Sequence, residues 1–97
     1  MLYVVTFSFD ITEDLKSRYD SFLEKLKSIG KYQLITRTSL FLETSKLESN
    51  IRDTLTEELK RTGSNGTVLV IRVYNPSWAL HTSSNSLFSY VKNKFEL

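Results

Sequence analysis

Leu2-Tyr3-Val4-Val5-Thr6-Phe7-Ser8-Phe9, closed by Asp10, decides how the rest of the chain is read. Tyr3, Val5, Phe7 and Phe9 share one side, while Leu2, Val4, Thr6, Ser8 and Asp10 share the other. That period of two predicts a strand with one fully apolar face and a carboxylate at the rim of its sheet. From Thr12 the period changes. Leu15, Tyr19, Phe22, Leu23, Leu26 and Ile29 recur at helical spacing, Thr12 suits an N-cap, and Gly30 stands where a left-handed C-terminal cap is wanted, so a helix over about 13–29 is expected.

Lys31 to Glu43 is too rich in Ile, Leu, Thr, Phe and Tyr for a loop, and its polar centre, Thr36-Arg37-Thr38, divides it into strands over about 31–36 and 38–43. Ser45 followed three residues later by Glu48 reads as a capping box, after which Leu47, Ile51, Leu55 and Leu59 repeat on one helical face. Ser64-Asn65-Gly66 is a turn signal, and Thr67 to Tyr74 is the most β-prone run of the chain. Strand, helix, strand, strand, helix, strand, with one apolar face per helix, predicts an α+β domain over residues 1–80. The expected arrangement is a ferredoxin-like βαββαβ sandwich, an antiparallel four-stranded sheet with both helices on one face. Residues 81–97 form an extension in which Ser84 or Asn85 caps a short amphipathic helix, with Leu87, Val91 and Lys94 or Phe95 on one side.

The sheet face turned away from the helices is expected to carry Thr6, Ser8, Asp10, Phe41, Glu43, Val70, Arg72 and Tyr74. Val4, Phe41, Val70 and Tyr74 would make it an apolar patch, and with Trp78 they are the expected homodimer interface. The composition bounds the rest. A chain of 97 residues, 40% hydrophobic and 25% charged, suffices for one core. It has no cysteine and one histidine, which argues against disulfides and zinc and for a reducing, cytoplasmic setting. No stretch approaches the ~18 apolar residues that span a bilayer, so no membrane partner is expected. A formal charge of +2 without basic blocks does not by itself announce nucleic-acid binding.

Several short motifs together resemble a family. The strand ending in Phe9-Asp10, Ser28-Ile29-Gly30 after the first helix, Thr38-Ser39-Leu40-Phe41-Leu42, Ile51-Arg52-Asp53, and Ser64-Asn65-Gly66-Thr67-Val68-Leu69-Val70-Ile71 leading to Trp78 resemble the small bacterial proteins called SinR-like. Those are related in fold to the small CRISPR-associated adaptation subunit and to VapD-type toxin ribonucleases. The resemblance covers about residues 2–80 and implies a ferredoxin-like homodimer. In it an aspartate ending the first strand, here Asp10, lies near its symmetry mate and holds Mg or Mn for phosphodiester cleavage. Gly66 departs from the Ser-Asn-Asp turn common in the family, and the tail lies outside the resemblance.

Metal-assisted hydrolysis needs hard oxygen ligands, so one Asp10 per chain serves only if two-fold symmetry supplies a second; Glu43, on the same expected face, is the candidate second ligand. The plainer reading is that Asp10 caps the following turn or helix. Arg37 and Arg72 are the candidate nucleic-acid contacts, whereas Arg18 and Arg52 have acidic helical neighbours in Asp14 and Glu48. His81 lacks a nucleophile in any recognisable motif and reads as an exposed loop residue. Trp78, beyond Asn75-Pro76, reads as a lid on the core or a dimer contact. Two functions are therefore expected in turn. The first is a dimeric nucleic-acid-associated protein, with Mg- or Mn-dependent endoribonuclease or endonuclease activity at Asp10 acting on RNA or DNA. The second is a non-enzymatic module of a phage or mobile element that binds a host or defence protein.

Overall fold

The computed structural model describes residues 1–10, 14–63, 65–74 and 77–95. Its elements are β1 (Leu2–Phe9), α1 (Leu15–Ile29), β2 (Lys31–Thr36), β3 (Ser39–Glu43), α2 (Glu48–Arg61), β4 (Gly66–Arg72) and α3 (Asn85–Phe95). The strands form one sheet in the order β2-β3-β1-β4, with every neighbouring pair antiparallel. β1 is therefore paired on both edges. α1 carries the chain from β1 past β3 to β2, and α2 carries it from β3 past β1 to β4.

The alternation read in β1 places Tyr3, Val5 and Phe7 in the core, where they meet Leu40 and Leu42 of β3, Phe22, Leu26 and Ile29 of α1, and Ile51, Leu55 and Leu59 of α2. Burying side chains of this size stabilises by about 1.5–3 kcal/mol each, so this layer dominates the fold. The Phe7 and Phe22 rings lie 4.4 Å apart between centroids, and Phe9 meets Phe22 edge-on at 5.6 Å. Tyr3 is fully buried, yet its hydroxyl reaches the Lys46 carbonyl at 2.7 Å, which removes the cost of an unpaired polar atom.

Two local expectations, those for Gly30 and for the capping box, are corrected at element ends. Thr12, the expected N-cap, lies outside the described residues, as do Ser64 and Asn75-Pro76; α1 begins at Leu15 behind Asp14, whose φ of 53° is left-handed backbone that aspartate tolerates. Gly30 is extended, with φ −178°, and so is not a left-handed cap. A β-carbon there would lie 2.2 Å from the Glu43 carbonyl oxygen, so the glycine is required by the close approach of two backbones. The capping box does not form. Thr44 uses its hydroxyl to bond the Ile29 carbonyl and the Lys46 amide, the resulting turn consumes Ser45 and Lys46, and α2 starts behind Leu47 without a side-chain cap.

α3 does form, with Ser84 Oγ accepting from the Leu87 amide at 3.2 Å as its cap. It lies on the sheet face opposite α1 and α2, over the β2–β3 half. There Phe41 stacks on Tyr90 at 5.5 Å and meets Phe95 edge-on at 5.6 Å, while Leu87 and Val91 are buried. An isolated helix of this length is marginal in water, so docking is what orders it. Leu87→Ala should remove about 2–5 kcal/mol of that docking. Amide exchange across Asn85–Phe95 is then expected to accelerate roughly 30-fold or more, while the β1 and β3 amides keep their protection. Equal acceleration everywhere would show that α3 and the sheet unfold as one unit.

Candidate functional site

The register fixes which side chains share the outer face. Gln33, Phe41, Val4 and Ile71 stand abreast across the four strands; Ser39, Thr6 and Leu69 form a row on one side, and Lys31, Glu43 and Leu2 on the other. The expectation for β4 is corrected here. Val70 pairs with Val5 and Arg72 with Tyr3, so both belong to the helix side, and Leu69 and Ile71 are the outward residues of that strand. Val68 and Val70 pack partly against the core, while Leu69 and Ile71 are 48% and 52% exposed.

Of the expected interface, Val4 faces outward as read, but Phe41 is covered by Tyr90 and Phe95 of α3. Tyr74 lies beyond β4, largely exposed, with the Arg72 guanidinium 4.7 Å from its ring centroid. Trp78 rests against Phe95 of α3 at 6.4 Å between centroids and remains 40% exposed. What stays uncovered is the β1–β4 half, carrying Val4, Leu69 and Ile71, with Trp78 and Phe88 also exposed on this molecule.

Asp10 is exposed at the end of β1, its backbone amide extending the sheet to the Asn65 carbonyl at 2.9 Å, and its carboxylate has no partner among the described residues. It does not act as the N-cap of α1, a position held by Asp14. Glu43 is not brought near it. Glu43 pairs with Leu2, at the opposite end of β1, and a strand rise of about 3.4 Å per residue separates the two by roughly 25 Å. Nor is Glu43 open for a metal, since it accepts the Tyr90 hydroxyl at 2.9 Å and an ion pair from Lys94. Among the described residues no group of three or more His, Asp or Glu side chains is placed to hold a metal ion.

Phe9, the residue before Asp10, lines a cleft of about 540 Å³ together with Leu15, Lys16, Tyr19, Arg37 and Thr38. Two rings and two cations line it, although Lys16 is shared with Asp20 at 3.0 Å. Burial raises the Tyr19 hydroxyl pKa, and the Arg37 charge opposes that rise. Arg72 is at the other end of the sheet, on the helix side, so Arg37 and Arg72 do not form one track. His81 is exposed, as read. One buried carboxylate escaped the sequence reading: Glu58 of α2 accepts from Ser21 of α1 at 2.6 Å and from Arg61, a satisfied cross-link between the helices. Glu58 and Arg61 at i, i+3 were visible as a pair, but the reach to Ser21 depends on how the helices cross.

Hydrogen bonding from Lys94, opposed by burial and helped by Tyr90, holds the Glu43 carboxyl below its usual value of 4.5. Burial and the bond to Glu43 push the Tyr90 hydroxyl well up. A depressed carboxyl pKa stabilises the folded state above the ordinary value, and that contribution is lost as pH falls through the lowered one. α3 docking, followed by Trp78 fluorescence, is therefore expected to be constant from neutral pH down to about 5 and to weaken below about 4.5. Glu43→Gln should flatten that segment of the profile; an unchanged profile would remove Glu43 as the cause.

No protein-family model matches this chain, and no curated protein matches it either. What these side chains do follows from their geometry.

Proposed function

We propose that this chain is a self-associating protein-binding module with the ferredoxin-like βαββαβ topology, in which a second copy covers the β1–β4 half of the outer face. The topology is supported by the order β2-β3-β1-β4, which interleaves two strand-helix-strand units with a helix crossing over each intervening strand. The observation that carries the association is the exposure of Leu69 and Ile71 beside Val4 on a face whose other half is already covered. β4 also has no charged residue from Gly66 to Ile71, so nothing repels a like surface.

Sedimentation equilibrium at about 100 μM, well above the constants of specific dimers, is expected to give a dimer. Ile71→Glu should weaken it roughly 30-fold or more, the loss of a central apolar anchor, with little change in monomer stability because Ile71 is half exposed before association. A monomeric wild type at that concentration overturns the reading.

A second reading, in keeping with the SinR-like resemblance, has one observation in its favour: Asp10 follows directly on a cleft that pairs rings with cations, the combination that holds single-stranded nucleic acid. Two copies would have to bring two Asp10 carboxylates together around Mg or Mn. Cleavage of single-stranded RNA or DNA that requires either metal and disappears in Asp10→Ala is the expected result. Wild type that cleaves neither substrate with either metal removes this reading and leaves the first untouched.

A further inference from the structure

From the two unlike edges of the sheet we infer that the outer edge of β2 takes an acidic, extended segment of a partner protein as a fifth strand. This rests on reading the chain as a protein-binding module, but it uses a different surface from self-association. β2 is an edge strand; among the described residues it pairs with β3 alone. A groove of about 700 Å³ runs along it. Every residue from Gly30 to Arg37 lines that groove, with Lys27 of α1 on one side and Ser84 and Ser86 at the start of α3 on the other.

The floor is therefore a strand edge and the walls are helices on the two sheet faces. An extended peptide entering it meets main-chain donors and acceptors along its length, the basis of recognition by strand addition. Tyr32 and Leu34 pack against the core, so the template is already ordered and binding need not order it. The bulge between Leu34 and Thr36 limits the regular part to Lys31–Leu34, about 14 Å of strand. Gln33 Nε2 bonds the Leu34 carbonyl at 3.1 Å across this stretch, and it must swing aside if that carbonyl joins the added ladder.

Charge selects the occupant. Lys27, Lys31 and Arg37 line the groove and no carboxylate does among the described residues. Among the described residues Lys27 forms one ion pair, exposed, with Glu24 at 3.6 Å, too weak to withhold it. A second copy's β2 would set these cations against their own mates, and a second copy's β4 offers no acid from Gly66 to Arg72. An acidic strand satisfies both the backbone and the lysines. Nucleic acid satisfies only the lysines, since phosphates cannot continue a peptide ladder.

The test uses the full chain and a fluorescein-labelled peptide of about six residues alternating glutamate and valine. Saturable binding is expected, weakening with salt, with slowed hydrogen exchange at the β2 amides and none gained at β4. Lys27→Glu with Lys31→Glu should weaken binding at least about 10-fold, and so should N-methylation of alternate peptide amides, which leaves the charge intact but blocks the ladder. Ile71→Glu, aimed at self-association, should leave peptide binding unchanged, so that the two ideas fail separately. The inference is overturned by no binding up to about 1 mM peptide, by equal binding of a lysine-valine peptide, by protection appearing at β4, or by an oligothymidylate competing for the groove while N-methylation has no effect.

Discussion

Pairing of β1 on both edges, with Val5 opposite Leu40 on one side and Val70 on the other, is the constraint from which the remaining surfaces follow. Side chains alternate with a period of two, so a slip of one residue in either ladder would exchange the inner and outer sets of that neighbour. The inner set of β1, Tyr3, Val5 and Phe7, is large and fully covered by two helices, so exposing it would forfeit several times the 1.5–3 kcal/mol that each side chain contributes, roughly. Once β1 is fixed, β3 and β4 inherit their facing. Phe41 and Glu43 then have to stand outward, and α3 has a ring to stack on and a carboxylate to grip.

That inheritance explains what was legible in the chain and what was not. Element order, the inner side of β1 and the Ser84 cap are local patterns, and each is set by residues that lie within a few positions of one another. The facing of β4 is not local. Val68 and Val70 on one side and Leu69 and Ile71 on the other are equally apolar and equally β-prone, so only the ladder to β1 distinguishes them. Gly30 misled for a related reason: a glycine after a helix commonly takes a left-handed conformation, but here its missing side chain admits the Glu43 backbone, a contact between distant parts of the chain. Glu43 looked available as a metal ligand because its partners, Tyr90 and Lys94, are about fifty residues away in sequence and arrive only with α3. Asp10 could be placed at a sheet rim from its position after Phe9, but whether a second carboxylate joins it depends on assembly.

α3 turns one sheet face into two surfaces of different character. Over β2 and β3 it supplies Leu87, Val91 and the Phe41 stack, which close that half. Its Tyr90 and Lys94 flank reaches Glu43, while Phe88 and Phe95, seven residues apart and so nearly superposed on the helix, form the other flank. Phe95 is met by Phe41 and Trp78, and Phe88 stays half exposed. Without α3 the outer face would expose Phe41 together with Val4, Leu69 and Ile71, with Lys31 and Glu43 at one end. With it, the uncovered area narrows to the strands with the least charge.

The two sheet edges differ in the same direction as the two halves of the face. β2 carries Lys31 at its start and a bulge near its end, features that discourage a strand from pairing with its own kind. β4 has its one charge, Arg72, at its last position on the helix side; from Gly66 to Ile71 it has none, and its ladder to β1 runs from Gly66 to Arg72 without a shift. A guarded edge beside a basic groove favours a foreign, acidic strand, whereas an unguarded strand beside an apolar half-face favours a copy of itself. The two proposed contacts, one over β1 and β4 and the other along the outer edge of β2, have β3 between them, so occupation of one need not obstruct the other. On the proposed reading, such a layout would let a small chain join its like over one half of the face and hold a different protein along the far edge.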